Sequence, residues 1–263
     1  MTTTREFIKQ TRTKSQLFFE VISACQKLLY SPNAVDHKKY LNSRVNSKYN
    51  QTKYQFGYFP TNDNLQELYL FVDKKKLEEL GLVWTINLHD QNNTSFDQSA
   101  FNNHNLIWPI KDDYDNIVAL LGRSILPEDK LKELKIQKYK YSSFTKQAVL
   151  FGLNTAKKAI KSYESAIVVE GQLDAISCHS NGFHNVVALG GSSLSYYQLF
   201  LIKKHGAKKL LLLLDNDDPG QKAQDKIIKR YSSYIDIVKL QLPTGYKDVD
   251  EYIKGNDASL LLG

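Results

Sequence analysis

Cysteine is almost missing from this chain: Cys25 and Cys178 are the only two among 263 residues. Two thiols build neither a disulfide framework nor a cysteine-based zinc site, so no zinc is expected. Long apolar runs are missing too. The longest leucine run, Leu210–Leu214, has five residues and stops at Asp215; a membrane-spanning helix needs about 20. No membrane partner is expected, and the N-terminus lacks the apolar core of a secretory signal. Internal repeats and low-complexity tracts are absent. His104, His179, His184 and His205 have no metal-ligand spacing and are read as structural. What remains, 42% hydrophobic and 24% charged, is the composition of a globular chain with one large domain or two modest ones.

Positive charge is unevenly placed. Residues 1–60 hold ten basic side chains against three acidic ones, which equals the net +7 of the whole chain. The remainder balances, but it conceals a second segregation. Residues 130–161 carry nine lysines and one acid, Glu133, with Tyr139, Tyr141 and Phe144 between them. A lysine run alone reads as a solvated helix face. Interleaved aromatics point instead to single-stranded nucleic acid, which is gripped by backbone charge and base stacking.

Apolar periodicity predicts helices over 15–30 and 34–43, loop and strand over 45–60, and a helix over 62–81 closed by Gly81. Residues 88–103 are polar and aperiodic and read as loop. Short strands are expected at 106–110 and 117–121. From residue 166 the pattern becomes regular: strands at 166–169, 185–189, 210–214 and 235–242, with helices at 174–180, 195–205 and 221–231. Short, continuously apolar strands alternating with helices argue for a parallel sheet covered on both faces. The fold class is therefore α/β: an α+β N-terminal subdomain, then a mainly parallel sheet with helices on both faces. The expected boundaries are a basic tail at 1–15, the basic subdomain at 16–160, the sheet subdomain at 161–255 and a C-terminal tail at 256–263.

In such a sheet functional groups collect at the carboxyl ends of the strands. Glu170 directly follows Ile167-Val168-Val169, with Asp174 one helical turn on. Asp215 directly follows the leucine run and Asp217 comes two residues later. Beyond the last strand lie Lys247, Asp248, Asp250 and Glu251. Any one of these acids would pass as a turn or cap residue. Together they would repel one another unless a hard divalent cation relieved the repulsion, and Mg²⁺ leaves places for water and phosphate oxygens. Cys178, on an internal helix, reads as core.

Val169-Glu170-Gly171-Gln172-Leu173-Asp174 and Asp215-Asn216-Asp217-Asp218-Pro219-Gly220 resemble the two signatures of the Toprim fold, shared by DnaG-like primases, topoisomerases, nucleases and repair proteins. The segments Phe56-Gly57-Tyr58-Phe59-Pro60, Trp108-Pro109-Ile110, Leu121-Gly122-Arg123, Lys138-Tyr139-Lys140-Tyr141-Ser142 and Lys247-Asp248-Val249-Asp250-Glu251 are similar to the bacterial-type primase catalytic core, in the family's order from about residue 16 to 253. The resemblance implies template-directed synthesis of short RNA primers. On that pattern Glu170, Asp215 and Asp217 hold one Mg²⁺ or Mn²⁺, and a second ion is shared with Asp248. Asp174 and Asp250 support or join the metal set. Arg123, Lys138, Tyr139, Lys146 and Lys247 contact nucleotide or DNA. For Arg123 the plain alternative is a surface salt bridge; for Tyr139 it is a core position.

The departures are specific. Where the family carries an Arg pair ahead of Trp108, this sequence has Asn102, Asn103, His104 and Asn105. Neither the zinc-binding module nor the helicase-docking bundle of full-length bacterial primases is expected here, as in a phage or mobile-element protein. The implied partners are single-stranded DNA, ribonucleoside triphosphates and a helicase or zinc module in trans, in the cytoplasm. A Toprim nuclease and a non-catalytic Toprim scaffold are the rival readings.

Overall fold

The computed structural model describes residues 4–45, 47–88, 94–257 and 259–262. The chain divides into two compact units, residues 1–110 with 116–144 and residues 111–115 with 145–263.

The first unit opens with one long helix, α1 (Thr4–Leu28), which runs through residue 15 without interruption. Phe18, Val21, Ile22 and Cys25 recur at helical spacing and are wholly buried. Then come α2 (Val35–Arg44), α3 (Lys48–Lys53), β1 (Gly57–Tyr58), α4 (Leu65–Tyr69), α5 (Lys74–Glu79), β2 (Val83–Asn87), β3 (Ser95–Ser99), β4 (Leu106–Lys111), β5 (Ile117–Arg123), α6 (Glu128–Glu133) and β6 (Tyr139–Tyr141). The main sheet has the order β1-β4-β5-β6, with β1 antiparallel to β4 and β5 antiparallel to β6. Helix α1 packs on β1 and β5. A Cβ on Gly57 would sit 2.8 Å from the carbonyl carbon of Cys25, so glycine sets how closely strand and helix approach.

Three expectations fail in this unit. The helix expected over 62–81 is two short helices, α4 and α5, because the chain breaks after Tyr69 and restarts where the Asp73 carboxylate accepts the Lys75 N–H at 2.8 Å. The stretch 88–103 is not all loop: β2 and β3 form an antiparallel hairpin, with Ile86 opposite Phe96. Residues 89–93 lie outside the described residues. Within 45–60, α3 forms without an apolar stripe, started by the Ser47 cap on Asn50.

The second unit contains α7 (Leu153–Tyr163), β7 (Ser165–Val169), α8 (Gln172–Ser180), β8 (Val186–Ala188), α9 (Tyr196–Lys204), β9 (Lys209–Leu213), α10 (Asp218–Tyr231), β10 (Asp236–Lys239), α11 (Val249–Gly255) and α12 (Ser259–Leu262). Its sheet has the order β10-β9-β7-β8 and is parallel at every pairing. Ala166, Val168, Leu210 and Leu212 share one core with residues of α7, α9 and α10. The alternation of a strand leaves Ile167 and Val169 to the opposite face, where α8 packs on β7 and β8, with α11 against α8. Helices thus cover both faces. Right-handed crossovers give the same result, since β7 leads to β8 in one direction and β9 leads to β10 in the other. The direction reverses between β7 and β9, and a crevice opens at the carboxyl ends of two such strands.

The lysine zone at 130–161 is shared between the two units. Residues up to 144 belong to the first unit and the rest to the second.

Candidate active site

The acids gather at that reversal. Val169 pairs in register with Leu213, so Glu170 and Asp215 leave adjacent strands within two residues of each other's level. Asp217 is the N-cap of α10, and its Oδ1 accepts the Gly220 N–H at 2.9 Å. A Cβ on Gly220 would lie 2.1 Å from the Asp215 carbonyl oxygen; only glycine lets the helix begin so tightly against the end of β9. Asp248 caps α11 in the same way, through the Glu251 N–H at 2.8 Å. The Asn216 N–H donates to the Lys247 carbonyl at 2.7 Å, which ties this last segment to the end of β9. The Gly190 N–H donates to the Glu170 carbonyl at 2.9 Å and closes the loop after β8 onto the same rim.

The acids sit in one another's field. Burial pushes Asp215 up to about 7, and the charges of Glu170, Asp248 and Asp217 add to it while Lys247 opposes. Glu170 is also raised, by burial and then by Asp217, against Lys146 and Lys247. Lys146 is pushed down by burial, with Glu170 acting the other way. Its Nζ lies 3.1 Å from where a Gly191 Cβ would stand, so the bare glycine backbone leaves room for the ammonium.

Asp174 and Asp250 are both deeply buried. The Asp174 Oδ2 accepts the Gly171 N–H at 2.9 Å, and its Oδ1 accepts the Asp250 N–H at 3.3 Å. Asp250 accepts from the Ser177 hydroxyl at 2.7 Å and from Lys254 at 2.9 Å. The pair braces α8 against α11, and a role as ligands requires those bonds to be exchanged. Burial, then Asp248, Asp215 and Asp250, push Asp174 up to about 8.

Among the described residues no three His, Cys, Asp or Glu side chains are gathered as a ready-made metal site. The donor chemistry nevertheless suits a hard divalent cation. The acids at the rim are all carboxylates, their charges raise Asp215 and Glu170, and Asp217 and Asp248 each spend one oxygen on a cap and keep the other.

In the first unit the basic residues form a different centre. Arg123 is 4% exposed and lies between two tyrosines. Its Nε donates to the Tyr40 hydroxyl at 2.6 Å and its Nη1 to the Tyr139 hydroxyl, with the guanidinium 5.3 and 4.8 Å from the two ring centres. No ion-pair partner for Arg123 occurs among the described residues, which removes the surface-salt-bridge alternative. Lys138 is pushed down by burial and by Arg123; Glu128, 3.6 Å away, opposes, and Arg44 adds to the lowering. Tyr139 packs edge-on to Trp108 at 6.2 Å, half core and half partner to Arg123. Sequence reasoning named Tyr40-Leu41 with Arg44 as similar to the start of the primase core but gave Tyr40 and Arg44 no role in the site. Their spacing of four on α2, which puts both on one face, was the available signal.

The residues standing where an Arg pair was expected satisfy the first unit's own backbone. Asn102 Oδ1 accepts the Asn62 N–H at 2.8 Å, Asn105 Nδ2 donates to the Phe59 carbonyl at 2.8 Å, and His104 Nε2 lies 2.7 Å from the Gln137 carbonyl. Cys178 is wholly buried and its thiol is pushed up by that burial, as a core residue requires.

Comparison with known proteins matches both units. A family model described as the DNA primase catalytic core, N-terminal domain, covers residues 24–157, and one described as Toprim-like covers residues 167–253. A DNA primase of Clostridium acetobutylicum is 32% identical over 227 residues, which are 85% of this chain and 36% of that one. A DNA primase of Aquifex aeolicus is 37% identical over 150 residues, 57% of this chain and 29% of that one. The crystal structure of the Aquifex aeolicus primase zinc-binding and RNA polymerase domains superimposes with a TM-score of 0.73 at 29% identity, covering 93% of this chain and 59% of that one. The DnaG primase catalytic domain bound to single-stranded DNA shares the fold, with a TM-score of 0.72 at 20% identity over 96% of this chain and 79% of that one. The chain thus spans between 29% and 36% of the length of these two curated relatives.

Proposed function

Because this chain belongs to the DnaG-type DNA primase family, we propose that it is a DNA-directed RNA polymerase that makes short RNA primers on single-stranded DNA. The observation that carries this reading is the set of mutually repelling carboxylates, Glu170, Asp215, Asp217 and Asp248, at the strand ends where the second sheet reverses direction.

Asp215, Asp217 and Glu170 are the residues to hold a divalent cation, Mg²⁺ or Mn²⁺, with Asp248 toward a second. When bound, such ions make the 3′-hydroxyl a better nucleophile and neutralise the charge that builds on the phosphates and leaving pyrophosphate. The chain's own residues do the rest. The capping bonds of Asp217 and Asp248 fix each carboxylate by one oxygen, so the other is presented without loss of rotamer freedom at binding. The Glu170 carboxylate takes the proton of the attacking hydroxyl or completes the ligand set. Lys146, beside the Gly191 backbone, and Lys247 take phosphate oxygens of the ribonucleoside triphosphate. In the first unit, Tyr40 and Tyr139 hold the Arg123 fork by two of its five N–H groups and leave the others for phosphate, with Lys138 and Arg44 beside it. A replicative helicase is the further partner on this reading, in the cytoplasm of a bacterial or phage-infected cell.

The test supplies single-stranded template, Mg²⁺ and labelled ribonucleotides to the wild type and to Asp217→Asn, with and without a helicase or zinc-domain protein. Primer-length RNA from the wild type alone supports the reading. If the wild type makes none under any condition, the reading is dropped; shortening of the template without nucleotides would establish the nuclease instead.

A further inference from the structure

The second unit carries aromatic rings around α9 that its core does not use. Tyr196, Tyr197, Phe200 and Tyr234 are each 52–55% exposed, and Tyr114 is 70% exposed. Single exposed rings need no explanation, but a contiguous group does. On α9, residues 196, 197, 200, 203 and 204 share one side of the helix, while Gln198, Leu199, Leu201 and Ile202 turn inward.

The rings are ordered by one another. Tyr196 meets Tyr231 edge-on at 5.0 Å and Tyr234 at 6.1 Å, and Tyr197 lies 5.9 Å from Phe200. Cations stand among them. The Arg230 guanidinium is 4.5 Å from the Tyr196 ring centre, Lys203 donates to the Tyr234 carbonyl at 2.7 Å, and Lys204 is 4.6 Å from the Tyr114 ring centre. Helix α9 itself has no acidic residue. Asp113, which pairs with Lys204 at 2.7 Å and His205 at 3.1 Å, is buried beneath them.

An apolar partner would leave Lys203 and Arg230 unmatched, and a bare polyphosphate would leave the rings unmatched. Unpaired bases on a phosphate backbone match both, whereas a duplex hides its base faces. We propose that this face of α9 is a binding surface for single-stranded nucleic acid, ring to base and cation to phosphate, without preference for sequence. It needs neither metal nor nucleotide, so it stands or falls independently of the polymerase reading.

The experiment is fluorescence anisotropy in EDTA with an oligothymidylate of about 16 nucleotides and a duplex of equal length. It compares the wild type with the pairs Tyr197→Ala/Phe200→Ala and Tyr197→Trp/Phe200→Trp, each shown to melt as the wild type does. Photocrosslinking with bromodeoxyuridine in the oligomer then maps the contacted peptide. Expected are tighter binding of the single strand than of the duplex, a loss of about tenfold or more in the alanine pair, retention in the tryptophan pair and crosslinks on residues 196–204. Unchanged affinity in the alanine pair with crosslinks only elsewhere would overturn the proposal. So would a drop in oligomer mass in that pair without any loss of binding, which would mean that a second copy covers the face.

Discussion

The two units bury charge of opposite sign. In the first, Arg123 is enclosed by Tyr40 and Tyr139, and Lys138 is pressed below its ordinary range by burial and by Arg123. In the second, Asp174 and Asp215 are lifted to about 8 and about 7 by burial and by their acidic neighbours. On the proposed reading a phosphate would relieve the first and a divalent cation the second.

The largest expected effect comes from breaking the negative half. Asparagine is as good an N-cap as aspartate, so Asp217→Asn keeps the start of α10 and removes only charge. Primer synthesis should fall by roughly 10²–10³-fold or more while the melting temperature stays near that of the wild type. A fall in both would make Asp217 a structural cap and little else. Next is the positive half. Arg123→Lys keeps the charge but loses the fork that both tyrosine hydroxyls accept, at a cost of about 1.5–3 kcal/mol in urea unfolding and a higher KM for nucleotide. A neutral outcome would mean that charge alone, without the fork, defines the centre.

The most gradual effect, spread over several pH units, is the pH dependence, and the two units should differ in sign. In the first, burial takes His37 down to about 4, with Asp36 opposing. The unfolded chain therefore gains a proton first, and stability present above the ordinary value near 6.5 is lost as pH falls toward 4. In the second, Asp174 and Asp215 hold protons that the unfolded chain has already released. Stability present below the ordinary value of 3.8 is lost as pH rises through about 7 and 8. Each group contributes at most about 1.4 kcal/mol per pH unit. Both tryptophans, Trp84 and Trp108, lie in the first unit, so their fluorescence reports it alone, while hydrogen exchange of β7 and β9 reports the second. His37→Gln and Asp174→Asn should each flatten one slope; slopes of the same sign in both probes would break the comparison.

The second unit was the more legible of the two in sequence, for a physical reason. Its inner strands β7 and β9 are largely buried on both faces, so Ile167-Val168-Val169 and the leucine run announce themselves, and the acids follow at their ends. In the first unit the hairpin β2–β3 has partly exposed strands, and only the alternation of Trp84, Ile86 and Leu88 marked it. The leucines of 62–81 fit a helical period and gave no sign that Asp73 starts a second helix. At the rim, cap and functional readings of Asp217 and Asp248 had stood as alternatives; the structure shows the caps, and the caps are what aim the remaining oxygens. The tyrosine cage of Arg123 was out of reach, because Tyr40 and Tyr139 meet it from distant points in the chain.

The claim that the second unit's acids await a cation is tested most directly by carboxyl ¹³C NMR, with Asp215 assigned through Asp215→Asn. Without divalent ions its titration midpoint should lie near 7. Millimolar Mg²⁺ should bring the midpoint down to the ordinary carboxylate range or below, because the cation favours the charged form. A midpoint near 7 that Mg²⁺ and Mn²⁺ leave unmoved would contradict the account.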